Sequence, residues 1–209
     1  VTKTILEAAG ALAADSFDDF NDLAAMACYF SRYELKTGNT FFISNAGFES
    51  AGMADSVSGP LTAGFKDAKL IEDMRKALKE FRLDGIVDVK NPLDLTPMAS
   101  DAAIGRITDL ALSSAEFGAV LLSLVPLTPA MNTLPKSGAD YPDDLERSFL
   151  KHTAERMVRE GKPLLFCVAC GSLYDPYCDY ARDLGMPVFR SADRAAQIYK
   201  KYLEYVMGR

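Results

Sequence analysis

Tryptophan is absent from this 209-residue chain, histidine occurs once, at position 152, and cysteine only four times. Cys167 and Cys170 form a C-x-x-C, but a zinc site needs two more suitable ligands and the chain offers a single His. No metal is therefore expected. A thioredoxin-like pair would place its first Cys at a helix N-terminus. Cys167 instead lies inside the apolar run Leu164-Leu165-Phe166-Cys167-Val168-Ala169, where strand spacing sends it and Cys170 to opposite faces. The cysteines read as small buried residues of a cytoplasmic protein. An excess of basic charge is also missing: the net charge of −6 argues against nucleic acid or an anionic membrane as partner. No apolar run is long enough to span a bilayer, the longest, 119–127, suiting a buried strand. Val1-Thr2-Lys3-Thr4 has neither an initiator Met nor the architecture of a signal peptide, which reads as a fragment or a processed form. G-x-S-x-G and Walker A motifs are absent, and His152, in the exposed helical pattern Ser148-Phe149-Leu150-Lys151-His152-Thr153, reads as a surface residue.

What is present is an alternation. Residues 1–38 read as a helical extension, with a break at Gly10 and a helix start at Ser16-Phe17-Asp18-Asp19. From 39 to 209 short apolar runs alternate with helical patterns. Strands are expected at 40–44, 60–63, 86–89, 119–125, 163–169 and 187–189, and helices at 50–58, 69–81, 101–113, 142–159, 176–184 and 192–207. Continuous β-rich runs separated by helices predict an α/β fold: a three-layer, flavodoxin-like, doubly wound parallel sheet with an N-terminal helical extension. Pro129 to Pro142, rich in Pro, Gly, Asn, Ser and Asp, reads as the most flexible stretch.

Ligands of such folds sit beyond the carboxyl ends of the strands. There the run Thr40-Phe41-Phe42-Ile43-Ser44 stops at Asn45-Ala46-Gly47, and Phe48-Glu49-Ser50 follows as a helix start. Free amides and the positive end of a helix dipole at such a turn form an anion site, so Asn45, Ala46, Gly47, Phe48, Glu49 and Ser50 are the expected phosphate-binding residues. A second turn, Asn91-Pro92-Leu93-Asp94, holds a rigid loop through Asn91 and Asp94, with Pro92 keeping Asn91 extended; it either shapes the site or touches its ligand. A flavin phosphate loop is usually richer in Ser and Thr than this turn, and only Tyr is left to stack on an isoalloxazine ring.

Taken together, these residues resemble a family. Thr37-Gly38-Asn39-Thr40-Phe41-Phe42-Ile43-Ser44-Asn45-Ala46-Gly47 looks like the "G-N-x-x-x-I-x-T/S-N-A-G" opening of the third domain of NDP-forming acyl-CoA synthetases, relatives of succinyl-CoA synthetase. Lys90-Asn91-Pro92-Leu93-Asp94-Leu95 is similar to that domain's "N-P-x-D-L" loop, Gly161-Lys162-Pro163-Leu164-Leu165 to its "G-K-P-V-L" strand, and Gly185-Met186-Pro187-Val188-Phe189-Arg190-Ser191-Ala192-Asp193-Arg194-Ala195 to its "G-I-P-V-Y-R-T-P-E-R-A" ending. Upstream, Ala8-Ala9-Gly10 and Asp15-Ser16-Phe17-Asp18-Asp19-Phe20-Asn21-Asp22-Leu23-Ala24 resemble the family's segment joining the second domain to the third.

The resemblance implies a ligase mechanism. Acyl-CoA and phosphate give acyl phosphate and CoA, and the phosphoryl group passes through a histidine on a mobile loop to a nucleoside diphosphate. The phosphohistidine is held between two helix N-termini, one of which corresponds to the helix after Asn45-Ala46-Gly47. The accepting histidine belongs to the domain upstream; His152 does not correspond to it, so no catalytic residue is expected in this chain. It alone would bind no cofactor, and ATP or ADP, Mg and CoA belong to the intact enzyme. Its partners would be the CoA-binding and ATP-grasp domains or subunits, with a homo-oligomer left open. Where the family continues "G-G-P-G" this chain has Gly47-Phe48-Glu49-Ser50, placing a bulky and an anionic side chain at the phosphate turn. Two alternatives follow: a non-catalytic interaction or regulatory domain of the same fold, or a small anion- or flavin-binding module.

Overall fold

All five residues of Thr40–Ser44 are buried, as a strand covered on both faces requires. This strand, β1, lies inside a parallel sheet with β2 (Leu93–Asp94), β3 (Ala119–Leu124), β4 (Leu164–Val168) and β5 (Val188–Phe189), in the order β2-β1-β3-β4-β5. The computed structural model describes residues 2–136 and 144–208. Register runs Thr40 opposite Ala119 to Ser44 opposite Ser123, and Val120 opposite Leu164 to Leu124 opposite Val168. The helices are α1 (Thr2–Ala8), α2 (Phe17–Phe30), α3 (Gly47–Asp55), α4 (Ala68–Glu80), α5 (Asp101–Ser113), α6 (Leu150–Glu160), α7 (Asp175–Asp183) and α8 (Ala192–Met207). They cover both sides of the sheet: α2 and α3 pack on α8, while α5 packs between α4 and α6. This is the expected flavodoxin-like, doubly wound fold, with its reversal of strand order between β1 and β3.

Several expectations need correction. Residues 86–89 form no strand; the second strand is the two-residue β2, further along. Its place beside β1 is prepared by a side chain, because Asn91 Oδ1 accepts from Phe42 N (2.9 Å) and its Nδ2 donates to Thr40 O (2.8 Å). Residues 60–63 make only isolated bridges, Asn39 with Thr62 and Ser58 with Leu61. The helix expected at 142–159 begins outside the described residues. Its described part is a 3-10 turn, Leu145–Arg147, then a break at Ser148 and Phe149, then α6. Two ties hold the break, a local one in which Ser148 Oγ donates to Leu145 O and a tertiary one in which Phe149 N donates to Asp101 Oδ1 across the helix layer. The stretch expected to be flexible lies partly outside the described residues; within its described part, Asn132 bonds Asp101 and Thr133 bonds Pro126 O, and Met131 is buried.

The N-terminal segment is joined to the sheet by specific contacts. Ser16 Oγ caps α2 at Asp19 N, as the sequence indicates. Leu23, Met26, Tyr29 and Phe30 are buried, Phe30 stacks on Tyr199 of α8, and Tyr29 Oη both donates to Leu164 O and accepts from Leu164 N. At the amino edge of the sheet, backbone runs against backbone: a Cβ at Gly38 would stand 2.0 Å from Pro60 O, which is why only glycine fits there. No described helix is long and apolar enough to cross a membrane.

Candidate functional site

The turn after β1 sits at the switch point, and each of its side chains has a definite partner or direction. Ser44 Oγ accepts from Ala46 N (3.0 Å), bending the chain out of the strand. Asn45 is buried and faces the neighbouring strand end. Its Nδ2 donates to Val125 O (3.0 Å) and its Oδ1 accepts from Val125 N (2.9 Å), so it acts as one more rung of the β1–β3 ladder. Ala46 is the N-cap of α3 and has no polar side chain to give to the first-turn amides. The expected helix start at 50 is thus three residues late, because the start carries no Ser, Thr, Asp or Asn cap to mark it.

Three residues define what approaches this helix end. Gly47 lies against a carboxylate: a Cβ there would stand 3.2 Å from Asp94 Oδ2. Asp94 is held in place by accepting from Thr96 N through Oδ1 (2.9 Å). Phe48 projects outward from the first turn. Glu49 turns inward, where its Oε2 accepts a 2.7 Å hydrogen bond from Ser123 Oγ of β3. Ser50 is half-buried, its Oγ without a partner among the described residues.

Of the expected site residues, then, the fold brings Ala46, Gly47, Phe48 and Asp94 to one surface. Asn45, Glu49 and Asn91 serve as internal ties. Pro92 is half-buried and joined to Asn91 by a cis peptide bond. Two carboxylates lie at this helix end, Glu49 in the first turn and Asp94 beside Gly47, where the macrodipole favours negative charge.

Sequence reasoning missed the apolar character of this edge. Phe48, Met98, Leu127 and Leu173 are 69%, 70%, 76% and 63% exposed. They follow the carboxyl ends of β1, β2, β3 and β4, so in space they run Met98, Phe48, Leu127, Leu173 along the edge. Each is isolated in the sequence, and only the strand order aligns them. Large exposed apolar side chains thus recur at four successive strand ends along one edge. Arg190 also reaches this edge: it pairs with Asp175 and approaches the Cys170 Sγ (3.5 Å). Burial raises the Cys170 thiol, with Arg190 opposing that shift.

His152 is exposed, as its sequence context indicates, but not solitary. Its Nε2 lies 2.6 Å from Asp109 Oδ2 on α5. Forty-three residues separate the two, and nothing in either local pattern announces the pair.

No protein-family model matches the sequence, and no curated protein matches it. Solved structures do. The chain is similar over 99% of its length to PH0766 from Pyrococcus horikoshii OT3, with a TM-score of 0.73 and 20% identity, covering 43% of that protein. It is equally similar over 99% of its length to the dinucleotide-forming acetyl-coenzyme A synthetase 1 of Candidatus Korarchaeum cryptofilum in complex with phosphate and ADP, with a TM-score of 0.75 and 17% identity, covering 42% of that chain. The apo form of the same synthetase gives 0.71 and 16%. The chain spans less than half the length of these structures, and its fold is that of a domain-sized part of them.

Proposed function

We propose that this chain is the flavodoxin-like ligase domain of an NDP-forming acyl-CoA synthetase, with residues 1–38 as the extension leading into it, and that it presents the N-terminus of α3 to a phosphohistidine carried by another domain. One observation carries the reading: two of the sequence motifs that resemble the family, 37–47 and 90–95, meet at β1 and β2, where an uncapped helix start lies at the strand-order switch point. The likeness to a synthetase structure over 99% of this chain agrees with it. In this reading the chain contributes binding and orientation. The amides of Gly47 and Phe48 face the phosphoryl group, and Asp94 sets how closely it approaches. The apolar row packs against the CoA-binding or ATP-grasp domain or subunit and excludes water from the transfer. Nucleotide, Mg and CoA chemistry resides in those partners.

A second reading, a non-catalytic interaction domain of the same fold, is favoured by Phe48 and Asp94. A bulky ring and a carboxylate at the helix tip suit protein docking better than a dianion. Activity separates the two. Acetyl-CoA, phosphate and ADP should give no ATP with this chain alone, because its sole histidine is not the family's acceptor. Adding the remaining portions of the synthetase from the same source, the histidine-bearing domain together with the CoA-binding and ATP-grasp ones, should restore ATP formation. ATP formation by the chain alone, or no gain on adding those portions, contradicts the ligase reading.

A further inference from the structure

Between α5 and α6 lies a cleft of about 560 Å³, away from the start of α3. Its walls include the apolar Ala102, Ala130 and Phe149, and the charged groups that line it fall into two classes. The acids are sealed into the wall. Asp101 Oδ2 accepts from Asn132 N (2.6 Å) and Nδ2 (3.0 Å), and its Oδ1 accepts from Phe149 N (3.3 Å). Asp109 is buried between two side chains, His152 Nε2 at 2.6 Å and Arg156 Nε at 3.4 Å. The bases, by contrast, are exposed. Arg147 has no ion-pair partner among the described residues. The acid that feels Arg106, Asp73 of α4, is itself paired with Lys69 and Lys76. The surface left to a ligand is therefore cationic over an apolar floor, although the formal charges of its lining nearly cancel.

We propose that this cleft binds a small organic anion, a carboxylate or phosphate monoester on an apolar body, with Arg106, Arg147 and the His152 imidazole receiving the anionic group and Phe149 and its neighbours receiving the rest. Guanidinium groups are suited to this because their planar donors match carboxylate and phosphate oxygens. The Asp109 contact gives His152 its part. It places the ring proton of the neutral form on Nε2 and leaves Nδ1 to become the second donor when the ring is protonated, for which an anion is the matching partner. Nothing in this assignment depends on the site at α3.

The single histidine supplies the assay. In protein labelled with 13C-histidine, the ring signal belongs to His152 alone. Titration with phenyl phosphate and, separately, with benzoate should move it saturably with a Kd of about 1 mM or tighter. Inorganic phosphate, which lacks an apolar body, should bind more weakly. Arg147→Ala should weaken phenyl phosphate about fivefold or more, since it removes a charge-assisted contact. Arg159→Ala, about 10 Å further along α6 and paired with Glu160, should leave the affinity unchanged. The absence of a saturable shift with both organic anions overturns the proposal. So does inorganic phosphate binding as tightly as phenyl phosphate, an unchanged affinity in Arg147→Ala, or an equal loss in Arg159→Ala.

Discussion

Asn45 and Asn91 perform related tasks on β1. Each uses its amide as a surrogate peptide group, Asn45 toward Val125 beyond β3 and Asn91 toward Thr40 and Phe42 of β1 itself. Removing either amide strands one backbone donor and one acceptor in a partly buried setting. Asn45→Ala and Asn91→Ala should therefore each lower stability by about 2–3 kcal/mol, the cost of leaving such groups unsatisfied. Urea unfolding measures this directly, and an unchanged midpoint in both variants would mean that water replaces the amides freely. The sequence marks both asparagines as important, since each follows an extended segment and precedes a small or proline residue. It leaves their direction open, because an Asn at a turn can face a ligand or a neighbouring strand equally well. Only the β1–β3 pairing decides that Asn45 turns away from the helix end. Glu49 is similar: its position in the first turn is legible, while its bond to Ser123 depends on a residue seventy-four positions away.

At the scale of elements, α2 is fastened to α8 by an ionic cluster above their apolar contact. Asp19 meets Lys201 Nζ at 2.6 Å and Arg194 at 2.5 Å, and Asp22 meets Arg194 Nε at 2.7 Å. The Lys201 hydrogen bond, then that of Arg194, holds the Asp19 carboxyl at about 2, below its ordinary 3.8. The sign follows from the depression. The folded state favours the ionised form, so this contribution is complete above 3.8 and is lost as pH falls through about 2. Hydrogen exchange of the α2 amides should accelerate over that acidic window in the wild type. In Asp19→Asn it should already be faster at neutral pH and vary less across the window; identical profiles would remove Asp19 from the fastening. The elements most legible in the sequence were β1, β3 and β4, whose unbroken apolar runs are those of strands buried on both faces. The least legible was β2, two residues long and supported by the Asn91 side chain in place of a longer backbone ladder. The start of α6 was also obscure, because one of the two ties that hold its interruption comes from Asp101, on another helix.

For the molecule as a whole, the carboxyl edge of the sheet combines three features that are separate in the sequence: an uncapped helix start, a carboxylate beside it, and a row of exposed apolar side chains. The first was legible from Asn45-Ala46-Gly47. The other two required the strand order. Under the proposed function this surface accepts an anion weakly by itself and is completed by another protein. The most direct measurement is an amide chemical-shift titration of the isolated protein with inorganic phosphate, on the wild type and on Asp94→Asn. The account predicts shifts clustered at Ala46, Gly47, Phe48 and Glu49, with an affinity of about 1 mM or weaker, on the order of −4 kcal/mol at best. It also predicts about two- to fivefold tighter binding in Asp94→Asn, the worth of one charge at an exposed helix N-terminus. Those amides staying still while phosphate is added, or Asp94→Asn weakening the binding, would contradict it.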